Sequence, residues 1–172
     1  MNQTQVVEPV GAVRTGGLLL RRTAGTDAES LSGMLSGLPD WSLYMRFQTA
    51  VGRPPRPALL EQLLCPNGAA WVAERDGEVV GHAMWAWVKG ATEPTAELAL
   101  VIAASEQRRG LGVRMASAAA HHALVSGATR FLLMVSAMND QVLRMVRRRW
   151  PAATAERDGS LINFTIPATE FF

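Results

Sequence analysis

The chain has 172 residues, 48% of them hydrophobic, and a formal net charge of +2. This length suits one domain with a sizeable core, and a charge so close to zero gives no argument for a nucleic-acid partner. No apolar run is long enough to span a bilayer, which argues against a membrane protein. Cys65 is the only cysteine, so no intramolecular disulfide can form, as is typical of a protein from a reducing cytoplasm.

The basic residues are almost all arginine, and Lys89 is the only lysine. Together with the abundant Ala and Gly, this usage indicates a GC-rich bacterial genome. Residues 1–16 are mixed and polar and lack a signal-peptide pattern, so we expect a flexible N-terminal tail there. We expect residues 17–172 to form a single domain.

The first half of the chain is predicted to contain a strand, three helical stretches and a β-hairpin. Thr26 opens a capping-box pattern with Glu29, and Pro57 is suited to the first position of a helix. Asp76-Gly77 separates two apolar runs, which is a strong hairpin signal. The predicted strand is 17–22, the helices are 26–35, 41–51 and 57–64, and the hairpin strands are 70–75 and 78–87.

The second half is predicted to alternate strands and helices before a closing hairpin. Residues 97–102 form a short apolar run typical of a buried strand, and the alanine-rich stretch 113–126 favours a helix. A strand at 130–135, a helix at 139–149 and hairpin strands at 154–156 and 160–166 follow. This order indicates an α/β sandwich with a partly antiparallel sheet.

The loop between the strand at 97–102 and the following helix reads Gln107-Arg108-Arg109-Gly110-Leu111-Gly112. Glycine lets backbone amides approach a ligand closely, and a helix N-terminus presents unpaired N–H donors and a positive dipole end. Strand, glycine-rich loop and helix therefore predict an anion site, typically for a phosphate. The spacing matches neither a P-loop nor the G-x-G-x-x-G dinucleotide fingerprint.

The pattern Q-x-x-G-x-G in this setting resembles the acetyl-CoA pyrophosphate loop of the GNAT superfamily of N-acetyltransferases. The predicted order of elements is also similar to the GNAT fold over nearly the whole chain after Gly17. The resemblance implies an α/β fold with a mixed, mostly antiparallel central sheet of about seven strands and helices on both faces. It implies acetyl-CoA as cosubstrate, no metal, and transfer of an acetyl group to a primary amine.

The same resemblance assigns roles in holding acetyl-CoA. In the family, the pantetheine arm pairs with the strand before the loop, and the pyrophosphate lies on the loop amides. The residues implied to bind it are Val101, Ile102, Gln107, Arg109, Gly110, Leu111, Gly112, Val113, Arg114 and Asn139. Asn139 follows the next strand, where many members carry a cofactor-contacting Asn; a plain helix cap is the alternative for it.

Glu97 is the candidate general base. A carboxylate among apolar neighbours on a strand is unusual, and partial burial would raise its pKa toward a range useful for a base. A Glu at this point is also the general base of several GNAT branches, including bacterial protein lysine acetyltransferases. His82, in the predicted strand 78–87, is the alternative base, although a buried structural role is the commoner one for such a histidine.

Ser42-Leu43-Tyr44-Met45-Arg46-Phe47 adds to the resemblance to bacterial protein lysine acetyltransferases, which often show S-x-Y-x-R-F in this region. The same letters also suit a helix that packs Leu43 and Phe47 inward. A protein lysine is therefore the expected acceptor. A small amine, such as an aminoglycoside or polyamine, and a non-catalytic acyl-CoA sensor are the alternatives. Because GNAT proteins are often dimers, a homodimer is an open expectation.

The chain departs from the family pattern at the group that would protonate the leaving thiolate. Many members place a Tyr acid on the last helix, whereas Tyr44 is the only tyrosine here and Met145 stands in the corresponding region. A thiolate with a pKa near 8.5 can leave without a strong acid.

The stretch 41–64 is rich in arginine and proline, and a basic, stiff wall favours a protein acceptor over a polycation.

Overall fold

The computed structural model describes residues 13–172, and their side chains from residue 16 onward. Eight strands form one sheet in the order β1-β2-β3-β4-β5-β6-β8-β7. The strands are β1 Val13–Thr15, β2 Leu18–Arg22, β3 Gly68–Arg75, β4 Glu78–Trp87, β5 Thr95–Ile102, β6 Arg130–Ser136, β7 Thr154–Asp158 and β8 Leu161–Pro167. The helices are α1 Ala28–Ser36, α2 Asp40–Phe47, α3 Pro57–Leu64, α4 Leu111–Val125 and α5 Asp140–Arg149.

Every neighbouring pair of strands is antiparallel except β5 and β6, which run parallel. The parallel pair is joined by the crossover through α4, as parallel neighbours require. The predicted mixed, mostly antiparallel α/β sheet with helices on both faces is confirmed. The described part of the chain has one strand more than the seven or so expected.

The additional strand lies at the N-terminal edge of the sheet. β1 and β2 are joined by Gly16-Gly17, whose φ angles of 57° and 77° match the primed turns that suit the twist of a hairpin. The prediction of a tail to residue 16 therefore differs from the structure at residues 13–15. Residues 1–12 lie outside the described part of the chain, and the prediction for them stays a prediction.

The two faces of the sheet carry separate apolar cores. On one face, α4 lies across β3, β4 and β5, and three alanines, Ala119, Ala120 and Ala123, let the helix approach the strands closely. On the other face, α1 and α3 pack against the alternate residues of the same strands, with Val72 and Val101 at the contact. Because strand side chains alternate between faces, each central strand contributes to both cores.

Two predicted helix boundaries differ from the structure. The Asp27 carboxylate accepts from the backbone amide of Ala24 and pairs with Arg21, and Thr26 does not cap the helix, so the predicted capping box is wrong. The helix expected at 41–51 ends at Phe47, because Gln48 adopts a left-handed conformation with φ 55°.

None of the helices in residues 13–172 is both long enough and apolar enough to cross a membrane.

Candidate functional site

The sheet opens between β5 and β6. Three residues of β5, ending at Glu97, pair with three residues of β6, ending at Leu132. Beyond this point β5 stays paired with β4 as far as Ile102, and β6 stays paired with β8 as far as Ser136. The two strands therefore diverge, and the inner edge of β5 presents backbone N–H and C=O groups that can pair with an extended ligand.

The loop that follows β5 is anchored at its base by an ion pair. The Arg75 guanidinium donates to both carboxylate oxygens of Glu106, at 2.8 and 3.0 Å, and Arg109 donates to the same carboxylate at 3.3 Å. The hydrogen bond from Arg75 holds the pKa of the Glu106 carboxyl below its usual range. The Gln107 side chain turns back and donates to the carbonyl oxygen of Ile102 at 3.0 Å.

Helix α4 begins at the open end of the split. Its N-cap residue is Gly110, in a left-handed conformation with φ 79°, and Arg108 is left-handed as well, with φ 61°. No carboxylate lies in the first turn of α4. Its first amides therefore point out of the helix without intrahelical partners, next to a positive dipole end, which is the arrangement that binds phosphate groups.

The predicted cofactor residues lie around the split, but some have buried side chains and others have exposed ones. The side chains of Val101, Ile102 and Leu111 are buried in the cores, so only their backbone groups face a ligand. Val113 is exposed in the first turn of α4. Gly112 lies in the same turn, and an added Cβ there would make only ordinary contacts with Leu100 and Ile102. Arg109 and Arg114 flank this turn.

Asn139 lies across the split from α4, just after β6. Its Oδ1 atom accepts from the backbone amide of Val142 at 3.2 Å, so the residue caps α5. The capping interpretation is therefore observed, and a cofactor contact through the rest of the side chain stays a prediction. Met145, in the region where many family members carry a Tyr acid, is partly exposed on α5.

Glu97 lies at the apex of the split, where β5 is still paired on both sides. Its neighbours across the strands are Ala86 on β4 and Leu132 on β6, so the carboxylate stands among apolar residues. Burial raises the pKa of the Glu97 carboxyl, and the positive charge of Arg46 partly opposes that rise. A partly buried carboxylate with a raised pKa, next to an open strand edge, is suited to accept a proton near neutral pH.

His82 is placed differently. It lies on the face of β4 covered by α3, is completely buried, and donates from Nε2 to the carbonyl oxygen of Leu63 at 2.9 Å. That bond fixes the Nε2–H tautomer and leaves Nδ1 buried without a partner. Burial lowers the pKa of His82 to about 4, so the ring is neutral at pH 7 and a weaker base than an unperturbed histidine.

Helix α2 covers the split, since it packs against both β5 and β6. It places Arg46 near Glu97, and it leaves Trp41 and Tyr44 exposed to 60% and 43%. Met134, on β6, is 43% exposed on the other side of the split. Sequence reasoning assigned no role to Met134, because its position in an apolar strand gives no local signal of exposure.

In residues 13–172, no cluster of three or more His, Cys, Asp or Glu residues could hold a metal ion.

Comparison with known proteins agrees with this architecture. The model of the acetyltransferase (GNAT) family matches residues 38–149, which include α2, the β5–loop–α4 unit and α5. The chain therefore belongs to the GNAT acetyltransferase family. No curated protein sequence matches the chain.

Solved structures share its fold at low sequence identity. The GNAT domain of S. lividans PAT is 18% identical, with a TM-score of 0.77 over 87% of this chain and 90% of that one. The yncA protein of Salmonella typhimurium, solved with its cofactor acetyl-CoA, is 15% identical, with a TM-score of 0.65 over 88% and 94% of the two chains. The ribosomal-protein-alanine N-acetyltransferase of Brucella melitensis is 16% identical, with a TM-score of 0.64 over 86% and 98%.

The environment of His82 predicts a pH dependence of stability. Its pKa is about 4 in the folded protein and near 6.5 when unperturbed, so between these values the unfolded chain binds more protons. Stability should therefore fall as the pH drops through this window, by up to about 3 kcal/mol from this group. His82→Gln can still donate to Leu63. We expect its free energy of unfolding, measured by urea titrations from pH 7 to 4, to fall less steeply than that of the wild type. Parallel curves for the two proteins would contradict the assignment.

Proposed function

We propose that this protein transfers the acetyl group of acetyl-CoA to a primary amine, with a protein lysine as the favoured acceptor and Glu97 as the general base. The observation that supports this most directly is the position of Glu97. Its partly buried carboxylate lies where β5 and β6 separate, between the edge that can hold a thioester arm and the helix α2 that borders the acceptor side. Such a group can take the proton that an ammonium must lose before it attacks a carbonyl carbon.

The residues around the split suit acetyl-CoA. The free edge of β5 offers the backbone pairing that an extended pantetheine arm requires, and exposed Val113 and Met134 offer apolar contacts beside it. The α4 N-terminus, with Gly110 as its N-cap, suits a pyrophosphate. The bound cosubstrate would supply an activated acetyl thioester. In this proposal the protein provides the base and holds the ligand, and CoA leaves as a thiolate without a tyrosine acid.

The acceptor side supports a protein substrate through apolar exposure more than through charge. Arg53, expected to form part of a basic wall, pairs instead with Asp40 and donates to the carbonyl oxygens of Ser36 and Leu38. The exposed rings of Trp41 and Tyr44 offer the amphipathic contact area that is enriched in protein interfaces. The S-x-Y-x-R-F stretch that resembles bacterial lysine acetyltransferases carries Tyr44, and Trp41 directly precedes it.

Removing the base should stop turnover but leave cosubstrate binding intact. We expect Glu97→Gln to lower kcat by on the order of a hundred- to ten-thousand-fold, with an unchanged Kd for acetyl-CoA in calorimetry. The matched control is Glu78→Gln, because Glu78 is exposed at the far end of β4 and no role in the site is assigned to it. If His82→Gln loses turnover and Glu97→Gln does not, the base is His82 and this part of the proposal is wrong.

The phosphate loop can be tested at Gly110, where an added Cβ points into open space at the start of α4. We expect Gly110→Ala to weaken the stabilisation by acetyl-CoA in a thermal melt, because the side chain enters the region that the pyrophosphate would use. Gly90→Ala is the control for backbone strain, since Gly90 has a similar φ of 74°, equally open surroundings and a position in the β4–β5 loop. Equal acetyl-CoA protection in both variants would contradict the loop assignment.

The acceptor class can be decided by direct competition. We expect kcat/KM for a folded protein pool or a lysine peptide to exceed that for spermidine or an aminoglycoside at equal concentration. Trp41→Ala should reduce the rate with the protein substrate more than the rate with a small amine, because a protein is large enough to contact the exposed ring while its lysine occupies the acceptor site. A higher kcat/KM for the small cation would instead establish a small-molecule acetyltransferase.

A further inference from the structure

Arg46 is a charged residue whose side chain is half-buried in the site. It belongs to α2, which packs over β5 and β6, and its Nε atom is buried without a hydrogen-bond partner. The guanidinium carbon is 4.8 Å from the centre of the Phe47 ring, so the side chain is held by an aromatic neighbour. Burial lowers the pKa of this guanidinium, and the negative charge of Glu97 opposes that effect.

Arg21 and Arg75, unlike Arg46, form contact ion pairs. Arg21 donates through two nitrogens to Asp27 at 2.9 and 2.7 Å, and Arg75 forms the two-pronged pair with Glu106. Within residues 16–172, Arg46 forms no ion pair within 4 Å. Its charge therefore acts on Glu97 across a gap, which leaves the carboxylate oxygens free to accept a proton.

Arg46 is also the charged group that affects the pKa of the Glu97 carboxyl. The strand neighbours Ala86 and Leu132 are apolar, and His82, on the same face of β4, is neutral at pH 7. On the same face of the outer strands, Glu156 is exposed to solvent. Among the described residues, Arg46 is the charged group whose field lowers the pKa of the Glu97 carboxyl, and it opposes the effect of burial.

We propose that Arg46 is a positioning residue that keeps the Glu97 carboxylate ionised, and thus ready to accept a proton, without touching it. A contact ion pair would occupy the carboxylate oxygens and make them poor proton acceptors, as for Glu106 beside Arg75. With no opposite charge, burial alone would act on this carboxyl, and its pKa would rise further. The kinetic part of this inference rests on the proposed function, whereas the electrostatic part concerns the free protein and does not.

The electrostatic part is tested by ¹³C NMR titration of the Glu97 side-chain carboxyl, assigned by the signal missing in Glu97→Gln. We expect the midpoint to rise by about half to one pH unit in Arg46→Gln, because an opposite charge has been removed. Arg46→Met, which keeps the aliphatic stem beside Phe47, should give the same rise, so the result does not depend on one variant folding. Arg46→Lys, which keeps the charge, should give a smaller change than either.

Arg157→Gln is the charge-matched control. Arg157 lies on β7 opposite Ile162, at an exposed site on the other face of the sheet. Its replacement by Gln removes the same unit of charge as Arg46→Gln. We expect no change in the Glu97 midpoint in this variant. An unchanged or lower midpoint in both Arg46→Gln and Arg46→Met, or an equal rise in Arg157→Gln, would overturn the inference.

The kinetic part is read from the pH profile of kcat/KM for acetyl transfer. We expect the acid limb assigned to Glu97 to move upward in Arg46→Gln, so that activity falls about three- to tenfold relative to the wild type below the limb and recovers above it. A purely structural role would lower the rate equally at every pH. Such a uniform loss would overturn the inference. Absence of any acetyl transfer by the wild type would refute the proposed function, while the NMR result would still decide the role of Arg46.

Discussion

Pairing between β5 and β6 stops after three residues, and the geometry of the whole site depends on that stop. Each strand keeps its other partner, so the right-handed twist of the sheet carries the two halves apart instead of closing the gap. The split leaves one strand edge without a partner, places Glu97 at its apex, and sets the start of α4 beside its open end. A continuous ladder would have buried all three features inside a sheet.

Two carboxylates near this split illustrate how contact geometry sets chemical roles. Glu106 is held by Arg75 at hydrogen-bond distance, which lowers the pKa of its carboxyl, and the ion pair anchors the loop. Glu97 has a basic neighbour, Arg46, but no contact pair, and burial raises its pKa. The first arrangement stabilises a conformation, whereas the second leaves a group able to exchange a proton.

The elements that could be predicted were those specified by local patterns. The β3–β4 hairpin follows from Asp76-Gly77 between two apolar runs, and α3 begins at Pro57 as expected. The Q-x-x-G-x-G loop lies between a strand and a helix, where its glycines indicated it. The capping-box error was also local in origin: the Asp27 carboxylate accepts hydrogen bonds from the Ala24 amide and from Arg21, six residues earlier in β2, and Thr26 does not cap the helix.

The sequence by itself determined the order of elements after Gly17, the glycine-rich loop between a strand and a helix, and the unusual Glu97 in an apolar strand, since each depends on residues close together in the chain. Tertiary structure alone decided where β5 and β6 separate, that α2 carries Arg46 toward Glu97, and that His82 is buried against α3 with a lowered pKa. These features join residues tens of positions apart. No local pattern encodes the burial, the distances between charges or the missing strand partner, because they arise only when the sheet twists and the helices pack onto it.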